Sequence, residues 1–195
     1  MNLEQRRANA VRRAYEEKVQ DVAFFGDAPS GMKGLLNSDQ VDKIVPNKWF
    51  DGASTTTDEM LEILNEAATR IVNGSNQKET PNTLLVPYDS VYRIISTTAR
   101  STTSDTTVME FFLRTNPFIR SIEPINELSA SKSVLSKDTI IAYDRSPEKL
   151  QLHIPQTLEF LPPVRTGLEF TVASHARIGG TAVYYPKSVL YVEKA

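Results

Sequence analysis

Apolar positions recur along this chain with two different periods, and the change between them divides it. Val11, Tyr15, Val19 and Val22 follow one another at spacings of four, four and three residues, the single stripe of an amphipathic helix. The pattern predicts a helix over 3–23 that ends at Gly26, with Pro29, Gly31 and Gly34 keeping the next stretch irregular. Residues 37–57 read as a connection with short apolar runs at Val41–Val45 and Trp49–Phe50. A second helix is predicted from about Asp58 to Asn73. Thr56 and Glu59 have capping-box spacing, Leu61, Leu64, Ala68, Ile71 and Val72 form its inner face, and Asn73-Gly74 supplies a stop. Thr83–Val86 reads as a buried strand, and Pro87 opens a helix with Val91, Ile94 and Ile95 inward. Thr97–Thr107 is dominated by Ser and Thr and reads as an exposed loop or a helix tip that extends away from the core, before a short helix, Val108–Arg114, returns Phe111 and Phe112 to the core.

Beyond Asn116-Pro117 the period shortens. Phe118, Ile119, Ile122 and Ile125 suggest an extended segment, and Asp138–Tyr143 is an apolar run closed by the turn Asp144-Arg145-Ser146-Pro147. Leu150, Leu152 and Ile154 alternate with Gln151 and His153, and Leu168, Phe170 and Val172 alternate in the same way, the period of half-buried strands. Gly179-Gly180 reads as a turn or bulge, with final strands at Val183–Tyr185 and Val189–Val192 around Pro186-Lys187. Helices first and strands later predict an α+β fold rather than alternating βαβ units.

Composition narrows the chemistry. The 195 residues hold 22 Lys+Arg and 24 Asp+Glu, a formal net charge of −2, which argues against a dedicated nucleic-acid binder. With no cysteine, disulfides, thiolate metal sites and cysteine nucleophiles are excluded. The first residues are charged, unlike a secretory signal, so the sequon at Asn73 carries little weight. No window approaches the ~18 apolar residues of a membrane span, and no membrane partner is expected.

Motifs for catalysis are missing. Gly26–Lys33 has the glycine spacing of a P-loop, but Met32 stands where the phosphate lysine belongs and Lys33 where the magnesium hydroxyl belongs. His153 and His175 lie in alternating strands away from any carboxylate motif, and neither H-E-x-x-H nor G-x-S-x-G occurs. Nothing in the spacing of Asp138, Asp144 and Glu169 makes them converge. The aromatic pairs Trp49-Phe50, Phe111-Phe112 and Tyr184-Tyr185 suit core or interface anchors better than base-stacking platforms. No catalytic residue, cofactor, metal or small-molecule substrate is expected, which leaves a structural or binding role by elimination.

Three stretches in order then carry a resemblance. The charged opening helix runs into Val22-Ala-Phe-Phe-Gly26-Asp27 and Gly31-Met-Lys-Gly34-Leu35-Leu36-Asn37; Asn82-Thr-Leu-Leu-Val-Pro87 leads into Tyr88–Ile95; and the chain closes on Arg177-Ile-Gly179-Gly180-Thr-Ala-Val-Tyr-Tyr185-Pro186-Lys-Ser-Val-Leu-Tyr191. Together they resemble the major capsid protein family of tailed bacteriophages and prophages, with the HK-97-type fold that encapsulin shells share. Ser188 departs from the alanine expected there.

The resemblance implies a discontinuous subunit. Residues 1–50 and 146–178, with the spine helix 3–23, would form a peripheral part, and residues 51–145 and 179–195 an axial part. It implies a coat protein that associates with itself into capsomers and an icosahedral shell around the genome. Assembly would occur in the bacterial host cytoplasm, with other phage head proteins as possible partners and DNA contact at most weak and non-specific. Arg6, Arg7, Arg12 and Arg13 would offer bidentate partners for a neighbour's carboxylates, and Arg100 and Asp105 lie on the polar stretch that would project toward a symmetry axis. The family's N-terminal arm and extended loop do not precede the spine helix in this sequence, so a truncated form that assembles poorly is expected. The competing readings are an encapsulin-like cargo-compartment shell and a small α+β enzyme.

Overall fold

The computed structural model describes residues 3–51, 54–103, 105–131, 136–167 and 169–195. In chain order the helices are α1 (Leu3–Phe25), α2 (Thr57–Gly74), α3 (Arg93–Thr97) and α4 (Val108–Thr115). The first strands are β1 (Asp42–Ile44), β2 (Thr83–Val86), β3 (Ser121–Pro124), β4 (Thr139–Tyr143) and β5 (Leu150–Leu152). They are followed by β6 (Gln156–Phe160), β7 (Val164–Thr166), β8 (Glu169–Thr171), β9 (Ser174–Arg177), β10 (Thr181–Val183) and β11 (Val189–Glu193). The chain gathers into two units: Met1–Ser38 with Gln151–Val183, called unit 1 below, and Asp39–Leu150 with Tyr184–Ala195, called unit 2.

Unit 2 is built on a five-stranded sheet in the order β1-β11-β4-β2-β3. β1 runs parallel to β11 and β2 parallel to β3, while β4 is antiparallel to both of its neighbours, β11 and β2. Every residue of β2 and β4 is buried, which is why both read as continuous apolar runs rather than as alternation. The edge strand β3 ends on Pro124, whose missing N–H blunts that edge against further pairing.

The capping box predicted for α2 is present: the Glu59 amide donates to Thr56 Oγ1, and the Thr56 amide donates to Glu59 Oε2 at 2.8 Å. Met60, Leu61, Ile63, Leu64, Ala67, Ala68, Ile71 and Val72 are buried, so all five residues predicted for the inner face lie inward. The helix runs through Gly74, and positive φ falls on Asn76 (53°) and Gln77 (62°) rather than on the predicted Asn73-Gly74. Ser75 causes the difference. Its amide donates to the Ile71 carbonyl and its hydroxyl to the Val72 carbonyl, which caps the helix one residue later than the glycine signal suggests. Pro87 opens the next helix as expected, but its first turn, Tyr88–Tyr92, is a wide one in which the Tyr92 amide reaches the Pro87 carbonyl at 3.0 Å. Val91 and Ile95 are buried, and Ile94 is half-buried.

Unit 1 starts with the 23 residues of α1. Only Val22 of the predicted stripe is buried; Tyr15 and Val19 are half-buried and Val11 is exposed. After the helix the chain folds back: the Leu35 and Leu36 amides donate to Ala23 and Phe24 carbonyls at 2.8 and 2.9 Å. A Cβ at Gly34 would come within 2.4 Å of the Phe24 backbone, so no other residue fits that crossing. Asn37 closes the turn, accepting from the Gly34 amide at 2.6 Å and donating to the Phe25 carbonyl at 2.8 Å.

The remaining strands of this unit form two-stranded ladders. β6 pairs with β9 and β7 with β8, both antiparallel, and β10 pairs with β5. Two expectations are corrected here. Phe170 and Val172, read as the inward positions of a half-buried strand, are 69% and 52% exposed, because the β7–β8 hairpin projects without cover; Leu168 lies outside the described residues. The strand expected at Val183–Tyr185 is Thr181–Val183 instead, since Pro186 begins a 3-10 turn and leaves Tyr184 and Tyr185 about half exposed.

Candidate self-association surfaces

Arg6, Arg7, Arg12 and Arg13 all lie exposed on α1. Arg6 and Arg13 are seven residues apart, two turns, and so share a helix face. Arg13 Nε is 3.1 Å from Glu17 Oε1, and both side chains are largely exposed, so this pair contributes at most about 0.5 kcal/mol. Nothing in so weak a pair commits the guanidinium to its own chain.

Arg100 is placed differently. Its Nη2 is 2.6 Å from Asp58 Oδ1, its Nη1 donates to Thr57 Oγ1 at 3.3 Å, and its guanidinium carbon lies 5.1 Å from the centre of the Phe111 ring. The Thr57 hydroxyl returns a bond to the Arg100 carbonyl at 3.1 Å. Arg100 thus fastens the base of the Thr97–Thr107 loop to the first turn of α2, and Asp105 is exposed on that loop. The four helix arginines fall in unit 1, Arg100 and Asp105 in unit 2.

The apolar residues best placed for association include Phe170, which alternation alone misassigns. Val164 is 64% exposed and Phe170 69%, on the two strands of one hairpin. Pro162-Pro163 before it and Gly167 at its turn are the signal in the sequence that could have marked a projecting hairpin.

The features that suggested chemistry resolve into structure. In the P-loop-like stretch the Asp27 and Met32 amides donate to each other's carbonyls, at 2.9 and 3.1 Å, so these amides are consumed inside the turn. His175 Nε2 lies 2.7 Å from Gln156 Nε2 and 3.8 Å from Glu159 Oε2, on an exposed ladder. The His153 carbonyl accepts from the Gly179 amide at 2.7 Å. Among the described residues no group of three His, Cys, Asp or Glu could hold a metal, and no helix is long and apolar enough to cross a membrane. A recess of about 320 Å³ in unit 2 is bordered by Asp42, Arg70, Ile71, Lys187 and Leu190.

The first of the quoted stretches meets the start of the last in unit 1. The Thr181 amide donates to the Lys33 carbonyl at 3.1 Å and the Thr181 hydroxyl to the Ala23 carbonyl at 2.7 Å, while a Cβ on Gly180 would stand 2.8 Å from Lys33 O. Gly180 is therefore needed where the chain crosses the turn after α1. Ser188 is fully buried and donates to the Tyr185 carbonyl at 2.7 Å, so a hydroxyl is satisfied where alanine was expected.

Solved structures share this architecture. It is similar to the capsid of Myoviridae phage XM1, with a TM-score of 0.86 at 17% identity over 100% of this chain and 66% of that one. It is also similar to a virus-like particle from Pyrococcus furiosus, with a TM-score of 0.58 at 14% identity over 81% of this chain and 58% of that one. The fold is thus α+β and of the HK-97 type. Comparison with curated proteins returned no match. The major capsid protein family matches residues 1–194, and the chain belongs to that family. Its class is therefore structural rather than enzymatic, and its place is the virion capsid.

Proposed function

We propose that this chain is the body of a coat subunit that associates with copies of itself into capsomers, and these into an icosahedral shell enclosing a phage genome. The observation that carries the reading is the uncovered surface of unit 1. Its described residues bury only Val22, Gly34, Leu35 and Leu36, while Val164, Phe170 and Val172 stay more than half exposed. Large apolar side chains left this exposed mark candidate contact positions. Unit 1 then corresponds to the peripheral part and unit 2 to the axial part. Arg6, Arg7, Arg12 and Arg13 pair with carboxylates of a neighbour, and the Thr97–Thr107 loop, with Asp105 on it, faces a symmetry axis. Assembly takes place in the host cytoplasm, other head proteins join the shell, and DNA contact is weak and non-specific.

Expression of the full-length protein in a bacterium, followed by sedimentation and electron microscopy, tests this. Rings or shells are expected; a species that stays monomeric at every concentration would overturn it. The likeness to a virus-like particle supports a second reading, a cargo compartment. Shells that enclose a co-expressed cargo enzyme and exclude nucleic acid would favour it.

A further inference from the structure

The chain leaves unit 2 after Leu150 and re-enters it at Tyr184. Both passages border one cluster of charges in unit 2. Lys149 Nζ donates to Asp144 Oδ2 at 2.6 Å and lies 2.5 Å from Glu79 Oε2. The three side chains are only 20%, 14% and 15% exposed. Asn82 Nδ2 donates to the other Asp144 oxygen at 2.6 Å, and Asn82 Oδ1 accepts from the Arg145 amide at 2.9 Å. The Asn82 backbone spans the sheet end: its amide donates to Tyr143 at the close of β4, and its carbonyl accepts from Arg120 just before β3. Lys149 is thereby held to the ends of three strands.

The Lys149 backbone extends the hold to the returning strand. Its carbonyl accepts from the Tyr184 amide at 2.8 Å, and the Lys149 and Leu150 amides both donate to Ser146 at 3.0 Å. The Asp144 amide donates to the carbonyl of the fully buried Ser188 at 3.3 Å. We propose that the Glu79–Asp144–Lys149 cluster is a clamp that fixes both connecting passages, outgoing and returning, to the sheet of unit 2.

A partly buried ion cluster adds little net stability, because desolvation offsets much of the attraction, so fixing one geometry is the contribution it makes best. Two carboxylates share one ammonium here, and removing the ammonium leaves two like charges facing each other. Burial pulls the Lys149 ammonium down, and the bonds to Asp144 and Glu79 more than offset this, so its pKa lies above the ordinary lysine value.

Amide hydrogen exchange on the whole protein tests the clamp, read on peptides spanning 146–152 and 181–188, with Lys149→Met and the milder Glu79→Gln. Exchange in both peptides should accelerate by about tenfold or more in Lys149→Met, and less in Glu79→Gln, while β4 keeps its protection. Unchanged exchange in both peptides would overturn the proposal. So would β4 accelerating in step with them, since the cluster would then serve general stability only. If Lys149→Met does not fold, Glu79→Gln decides alone, because it keeps the Lys149–Asp144 bond.

Discussion

In unit 2, α2 and the wide-turned helix at Tyr88 pack with the central strands around one cluster of buried side chains. Leu64, Leu84, Val91, Phe112, Ile140 and Val192 within it are almost wholly withdrawn from solvent, and every member of the cluster belongs to this unit. In unit 1 the longest helix of the chain buries one side chain of its stripe, and the strands from Gln156 to Arg177 bury none among their described residues. The same alphabet of apolar residues is used in both. What differs is whether the chain itself supplies the opposing surface. Unit 2 has a covered apolar core, whereas unit 1 displays apolar side chains that its described residues leave uncovered.

The contrast is broken most severely by a cavity in the covered unit. Leu64→Ala should cost about 2–5 kcal/mol in denaturant unfolding, whereas Phe170→Ser should leave stability within about 0.5 kcal/mol of the parent. A large loss at Phe170 in the dissociated protein would mean that the hairpin is packed after all. Next comes association. Val164→Ser with Phe170→Ser should weaken it by about 1.5–3 kcal/mol per side chain, read by sedimentation over a dilution series.

Arg12→Glu with Arg13→Glu should impair association while unfolding changes by no more than about 0.5 kcal/mol, because the Arg13–Glu17 pair is exposed. Unchanged sedimentation would remove these arginines from the contact. Within unit 2, Thr56→Ala should cost about 1 kcal/mol through loss of the α2 cap, measured by thermal melting.

The smallest effect is an acid one. Hydrogen bonding from Lys48, then from the Thr56 amide, holds the Glu59 carboxyl at about 2, against an ordinary 4.5. A depressed folded-state value stabilises above the unfolded one, so its contribution is full above 4.5 and disappears as pH falls toward 2. Lys48→Met should flatten stability over that window. A stability profile identical to the parent's between pH 4.5 and 2 would refute the pairing.

Much of unit 2 was legible in the sequence because its signals are local. Thr56 and Glu59 announce the cap, and Thr83–Val86 and Asp138–Tyr143 are apolar runs too short for helices. Ser75 was not legible as a cap, since a serine one residue beyond Asn73-Gly74 gives no stronger local signal than the glycine. In unit 1, period-two alternation at Phe170 and Val172 shows a strand but not what covers it. Burial in a shell is set by other chains, and a single sequence holds no record of them. Arg100 illustrates the converse: a charge on a polar loop reads as a contact residue, and its engagement with Asp58 and Thr57 depends on a fold that joins residues more than forty apart.

The central claim is that the exposed hairpin of unit 1 is a contact surface between copies of the chain. Hydroxyl-radical footprinting of Phe170, in assembled particles and in the same protein after dissociation, tests it most directly. Strong labelling in the dissociated protein and marked protection after assembly are predicted. Equal labelling of Phe170 in both states would contradict the account.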